Sequence, residues 1–109
     1  MEEGFSPDDI LYITTSSQYQ EQTDEDIEDA FTDVLVFMKS GDIYTASFYS
    51  YPTIEELRVE HTRNGTYLNG AYFTVPQLVL TQSCHLPEVE KVVRHMMEEG
   101  DFWMVFRKL

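Results

Sequence analysis

Hydrophobic and polar positions alternate most clearly between residues 32 and 49. Val34, Val36 and Met38 share one face of an extended segment, Leu35 and Phe37 the other, so Thr32–Met38 is predicted as a strand buried on both sides. Lys39-Ser40-Gly41-Asp42 breaks the pattern and is predicted as a turn, with Gly41 free to take positive φ. Ile43–Tyr49 resumes it: Tyr44, Ala46 and Phe48 on one side, Ile43, Thr45, Ser47 and Tyr49 on the other. The two segments make a β-hairpin.

The period changes after Ser50. Thr53 and Glu56 stand at capping-box spacing, with Pro52 at a helix start and Ile54, Leu57 and His61 on one inner face. Asn64-Gly65 stops that helix, and Asn69-Gly70 signals a further turn. Ala71–Val75 and Gln77–Thr81 are predicted as strand, interrupted by Pro76, which demands an edge position or a bulge because it has no N–H to donate. The strongest helical signal follows. Pro87 opens it, Val89, Val92, Val93, Met96 and Met97 recur on one stripe, and Gly100 closes it. Phe102–Phe106 fits either a last short helix capped by Asp101 or a buried strand.

The N-terminal third is less regular. Ile10–Thr14 is a short β-prone run, whereas Ser6-Pro7-Asp8-Asp9 would cap a short helix from Pro7; the pattern leaves both open. Residues 16–23 read as loop, and Thr23 with Asp26 forms a capping box for a turn through Asp26–Ala30. The expected fold class is α+β: a small antiparallel sheet, made of the β-hairpin plus one or two strands, with two main helices packed on one face.

Composition fits one domain, 1–109. The chain has 109 residues, 42% of them hydrophobic, with seven Phe, seven Tyr and one Trp to fill a core. It carries no apolar run approaching the roughly 20 residues of a membrane span. The start, Met1-Glu2-Glu3-Gly4, does not read as a secretory leader, and a single cysteine, Cys84, makes no internal disulfide. A cytoplasmic setting is expected from these features.

Charge changes the picture more. The net charge is −13. Residues 1–33 hold 11 acidic side chains and no Lys or Arg, while residues 34–109 hold 9 acids and 7 bases. An acidic N-terminal segment, 1–33, therefore precedes a nearly neutral body, 34–109. Phosphate backbones and anionic bilayers repel such a segment, which argues against nucleic acid and membrane as partners. A basic protein is its electrostatic complement, although acidity also serves solubility alone.

Candidate chemistry is sparse. Cys84-His85 precedes a helix start, where a thiolate is stabilised, yet neighbours in sequence seldom face each other and a buried small hydrophobe is the commoner role of cysteine. His61, His85 and His95 match no compact metal-ligand spacing, and Asp24, Glu25, Asp26, Glu28 and Asp29 lack the alternation, central glycine and closing Glu of an EF-hand loop. Neither phosphate-binding glycine motif occurs. No cofactor or metal is expected. The candidate partner-binding residues are Asp24, Glu25, Asp26, Glu28 and Asp29 with Tyr19, Tyr49 and Tyr51, since tyrosine is favoured at protein interfaces.

The runs Asp33-Val34-Leu35-Val36, Gly41–Phe48, Thr53-Ile54-Glu55-Glu56-Leu57 and Tyr67–Phe73, with the closing Glu99-Gly100-Asp101-Phe102 and Phe106, resemble a group of small uncharacterised bacterial proteins. The resemblance covers residues 33–109. It implies a bacterial origin and a hairpin–helix–strand–helix body, and no activity. The functional expectation is a small acidic, non-enzymatic binding protein that neutralises a basic partner, such as an immunity protein against a bacterial toxin. The alternatives are a small enzyme with a site near Cys84 and His85, an anti-defence inhibitor, or a regulatory subunit.

Overall fold

The computed structural model describes residues 6–16 and 31–109. The loop expected over 16–23 and the capped turn at Asp26–Ala30 fall, but for Ser16, outside the described residues.

Both N-terminal alternatives are realised in succession. Pro7–Asp9 forms one 3-10 turn, in which the Asp9 carboxylate accepts the Ser6 N–H at 2.8 Å. Strand β1 (Ile10–Thr15) follows directly. Its pairing with β2 (Phe31–Met38) is antiparallel and shifts register between Ile10 and Tyr12. That bulge lets Ile10 and Ile13 both face the core, which strict alternation would forbid.

The hairpin is as the pattern predicts. β2 and β3 (Ile43–Ser50) pair from Phe31↔Tyr49 to Phe37↔Ile43. The turn between them uses Gly41 at φ 100, and Met38 and Asp42 close it backbone to backbone at 2.9 Å. Val34, Val36, Met38, Tyr44, Ala46 and Phe48 are buried on the common face. The opposite face is covered less than expected: Leu35 and Phe37 are half-buried, and Phe37 stacks on Tyr12 with ring centroids 4.5 Å apart.

Helix α1 (Tyr51–Asn64) is capped three residues before the predicted cap, Thr53. Ser50 is the cap, its hydroxyl accepting the Thr53 N–H at 3.3 Å, with Pro52 in the first turn where a missing N–H costs nothing. Gly65 ends the helix at φ 85. The chain then reaches β4 (Leu78–Thr81) without the strand expected at Ala71–Val75. Tyr67, Leu68 and Asn69 instead turn with φ between 52 and 59, a left-handed stretch. Pro76 and Gln77, the latter at φ 53, then set the chain into β4.

β4 runs parallel to β3, from Ser47↔Leu78 to Ser50↔Thr81. Parallel neighbours need a crossover, and α1 supplies it. Helix α2 (Leu86–Glu99) lays Val89, Val93 and Met97 on the buried face of the sheet, as its stripe predicts. Each of the two valines is fully buried, which contributes about 1.5–3 kcal/mol to the core. Gly100 at φ 90 stops α2, and Phe102–Val105 is the short helix α3, the first of its two expected readings. Asp101 makes no side-chain cap. The Phe102 and Phe106 rings stack at 4.3 Å inside the core. Arg107–Lys108 then forms β5, antiparallel to the first half of β3. The α+β class therefore holds, with β4 and β5 dividing one edge of β3 between them.

Candidate functional site

Tyr49 alternates with Phe48 along β3, so it emerges on the face away from the main core. A second aromatic cluster forms there. Tyr49 meets Phe73 edge-on at 5.4 Å and Phe31 in a stack at 5.3 Å. Phe73 stacks on His61 at 6.0 Å, and Tyr67 touches His61, Tyr72 and Phe73 with centroids between 5.0 and 5.3 Å. Burial, then the Asp33 carboxylate, then Tyr67 push the Tyr49 hydroxyl above its ordinary 10.0.

A cleft of about 250 Å³ opens beside this cluster. Ile54, Arg58 and His61 of α1 form one wall, Gly70 to Phe73 the second, and Leu78 and Leu80 of β4 the floor. Gly70 makes the close approach possible. A Cβ there would lie 2.7 Å from Thr62 Oγ1 and 2.8 Å from the Arg58 carbonyl, and φ is +81. The Thr62 hydroxyl donates to the Arg58 carbonyl at 2.9 Å, with the Asn69 carbonyl 3.2 Å away, which ties the left-handed turn to the helix. His61 is 9% exposed, and its Nδ1 is buried without a hydrogen-bond partner. Arg58 holds Glu55 through a two-point pair at 2.6 and 3.4 Å; that hydrogen bonding lowers the Glu55 carboxyl and raises the guanidinium.

The expected partner residues divide. Asp24, Glu25, Asp26, Glu28, Asp29 and Tyr19 lie outside the described residues. Tyr49 is half-buried between Phe31 and Phe73, and Tyr51, the next residue but one, is 54% exposed at the start of α1. Phe31, 52% exposed, was not singled out by sequence, because a lone aromatic beside Ala30 carries no periodic signal. Through chain connectivity, the acidic residues 24–29 rejoin the described fold at Phe31, opposite Tyr49.

Cys84 is 1% exposed in the main core, its thiol donating to the Phe48 carbonyl at 3.5 Å, whereas His85 stands exposed at the start of α2. His61 is buried on α1, and His95 is exposed on α2 with Nε2 3.9 Å from Glu99. Among the described residues no three His, Cys, Asp or Glu side chains gather as metal ligands, and no helix is long and apolar enough to cross a membrane. The cleft escaped the sequence reading: Arg58, Tyr72, Phe73, Leu78 and Leu80 come from three separate segments. The aromatic density around Asn69-Gly70 was its one local signal.

No family model, curated protein or solved structure matches this chain.

Proposed function

We propose that this chain is a stoichiometric binding protein that neutralises a basic protein partner, as an immunity protein does for a toxin, and that it acts without turnover in a cytoplasmic setting. One observation carries the reading. The most acidic stretch, Asp24 to Asp29, re-enters the fold at Phe31, whose exposed ring stacks on Tyr49 beside exposed Tyr51. Charge that steers an encounter thus adjoins aromatic surface that holds a partner once it has arrived. The single cysteine, shut into the core, accords with a reducing compartment.

The test is kinetic. The full chain is immobilised, its partner is captured from host extract at low salt and purified, and association is followed at about 20 and 200 mM salt. The reading expects a partner with a basic isoelectric point and an association rate that falls steeply with salt. Replacing Asp24, Glu25, Asp26, Glu28 and Asp29 by their amides should slow association about tenfold or more while circular dichroism stays unchanged. An acidic or neutral partner, or an unchanged rate, refutes it.

A further inference from the structure

The cleft between α1 and β4 is remote in sequence from the acidic segment and has its own chemistry. Among the described residues that line it there is no carboxylate, in a chain whose net charge is −13. Its side chains able to carry positive charge are Arg58 and His61, set against Tyr72, Phe73, Leu78 and Leu80. We propose that this cleft binds a small single-ring aromatic carboxylate.

Three independent observations converge on a ligand. First, the cleft has room for one ring and one small polar group; at about 250 Å³ it lies just below the range of drug-sized sites. Second, His61 lacks a hydrogen-bond partner at Nδ1 although it is nine-tenths buried. Nδ1 is shut away from solvent, which leaves Nε2 as the nitrogen through which the ring meets the cleft, and in the tautomer with its proton there Nε2 donates. The nitrogen left for a ligand is then a donor, and it calls for an acceptor. Third, a left-handed run of three non-glycine residues, Tyr67, Leu68 and Asn69, leads directly into Gly70, where the wall opposite α1 begins. Backbone strain of that kind collects at ligand clamps. Here it brings Tyr72 and Phe73 against the helix.

The charge follows from Arg58. Its present partner, Glu55, is itself exposed, and exposed ion pairs are weak and readily exchanged. A ligand carboxylate accepting from His61 Nε2 draws the guanidinium from Glu55 to a two-oxygen acceptor of the same geometry. The ring lies against Phe73 and Leu78, where aromatic and aliphatic surface is open. A neutral or cationic ring of equal size gains the apolar contact and loses the charge.

The experiment titrates the full-length, ¹⁵N-labelled chain with phenylacetate, and in parallel with benzyl alcohol and benzylamine. Phenylacetate is expected to give saturable amide shifts centred on Arg58, His61 and Gly70 to Phe73, and to bind at least tenfold more tightly than the other two. Arg58→Gln and His61→Gln should each weaken phenylacetate about tenfold and leave benzyl alcohol unchanged. Arg58 is exposed, so its variant keeps the fold if His61→Gln does not. Absence of saturable shifts, equal binding of the three compounds, or full affinity in Arg58→Gln overturns the proposal. None of these outcomes bears on the basic-partner reading, whose test uses a different surface.

Discussion

Phe31 and Tyr49 face each other across β2 and β3, their rings 5.3 Å apart and within 16° of parallel. Phe31 is where the chain returns from its acidic stretch, and Tyr49 is where β3 hands over to α1. The pair therefore joins the segment that carries charge to the body that carries structure. In the proposed complex the two kinds of residue act on different rates. Phe31→Ala and Tyr51→Ala should speed dissociation of the basic partner by tenfold or more and leave association nearly unchanged, because buried aromatics govern residence time. Surface plasmon resonance separates the two rates. A purely slower association in either variant would contradict this division of labour.

Two glycines with positive φ differ in what surrounds them. Gly41 has open space about its missing side chain, whereas a Cβ at Gly70 would run into Thr62 and the Arg58 carbonyl. Gly41→Ala should cost about 1–2 kcal/mol, the price of left-handed backbone alone. Gly70→Ala adds overpacking of about 1–3 kcal/mol. Urea denaturation of the two variants should place Gly70→Ala well below Gly41→Ala, and the reverse order would mean that the left-handed turn moves freely off the helix.

Tyr49 gives a pH dependence of definite sign. Burial, with help from Asp33, raises its hydroxyl above 10.0 in the folded chain. The folded chain holds that proton more tightly than the unfolded chain does. This contribution is present in full below the unfolded value and is lost as pH rises through the folded one. Wild type should therefore lose more stability than Tyr49→Phe between pH 9 and pH 11, read as the shift in urea midpoint. Parallel losses would show that the hydroxyl titrates as freely folded as unfolded.

Cys84 should be nearly inert to a thiol reagent such as an aromatic disulfide in native buffer, and should react at once in strong denaturant. Its sulfur is sealed under Phe48 and the core. Stoichiometric labelling of the native chain within seconds would show that this part of the core opens readily.

The parts of the fold legible in the sequence are those whose buried faces repeat locally. The alternation over Val34, Val36 and Met38 and the stripe over Val89, Val93 and Met97 each record one flat contact with one core, and both appear where the period puts them. Ser50 as the true helix cap was hidden because Thr53, three residues on, is equally good cap chemistry; the strand simply runs longer. Ala71–Val75 has strand-like composition, yet its aromatics pack on His61 and Tyr49 rather than along a ladder, a tertiary preference that composition does not encode. β5 was invisible for a different reason. Two exposed residues, Arg107 and Lys108, pair only through backbone groups, which every sequence has alike. The cleft rests on the second of these hidden features, the turn through Ala71–Val75, set between α1 and β4.

The division of one edge of β3 between β4 and β5 has a kinetic consequence. β2 and β3 are joined by a tight turn and can meet within microseconds, whereas β4 must wait for everything from Tyr51 to Gln77 to fold back, and β5 for everything up to Phe106. During that interval the outer side of Ile43–Ser50 is an unsatisfied template, open to any extended chain nearby. The last two strands to arrive thus serve as the guard against misassembly, and the yield of refolding should depend on how promptly they close.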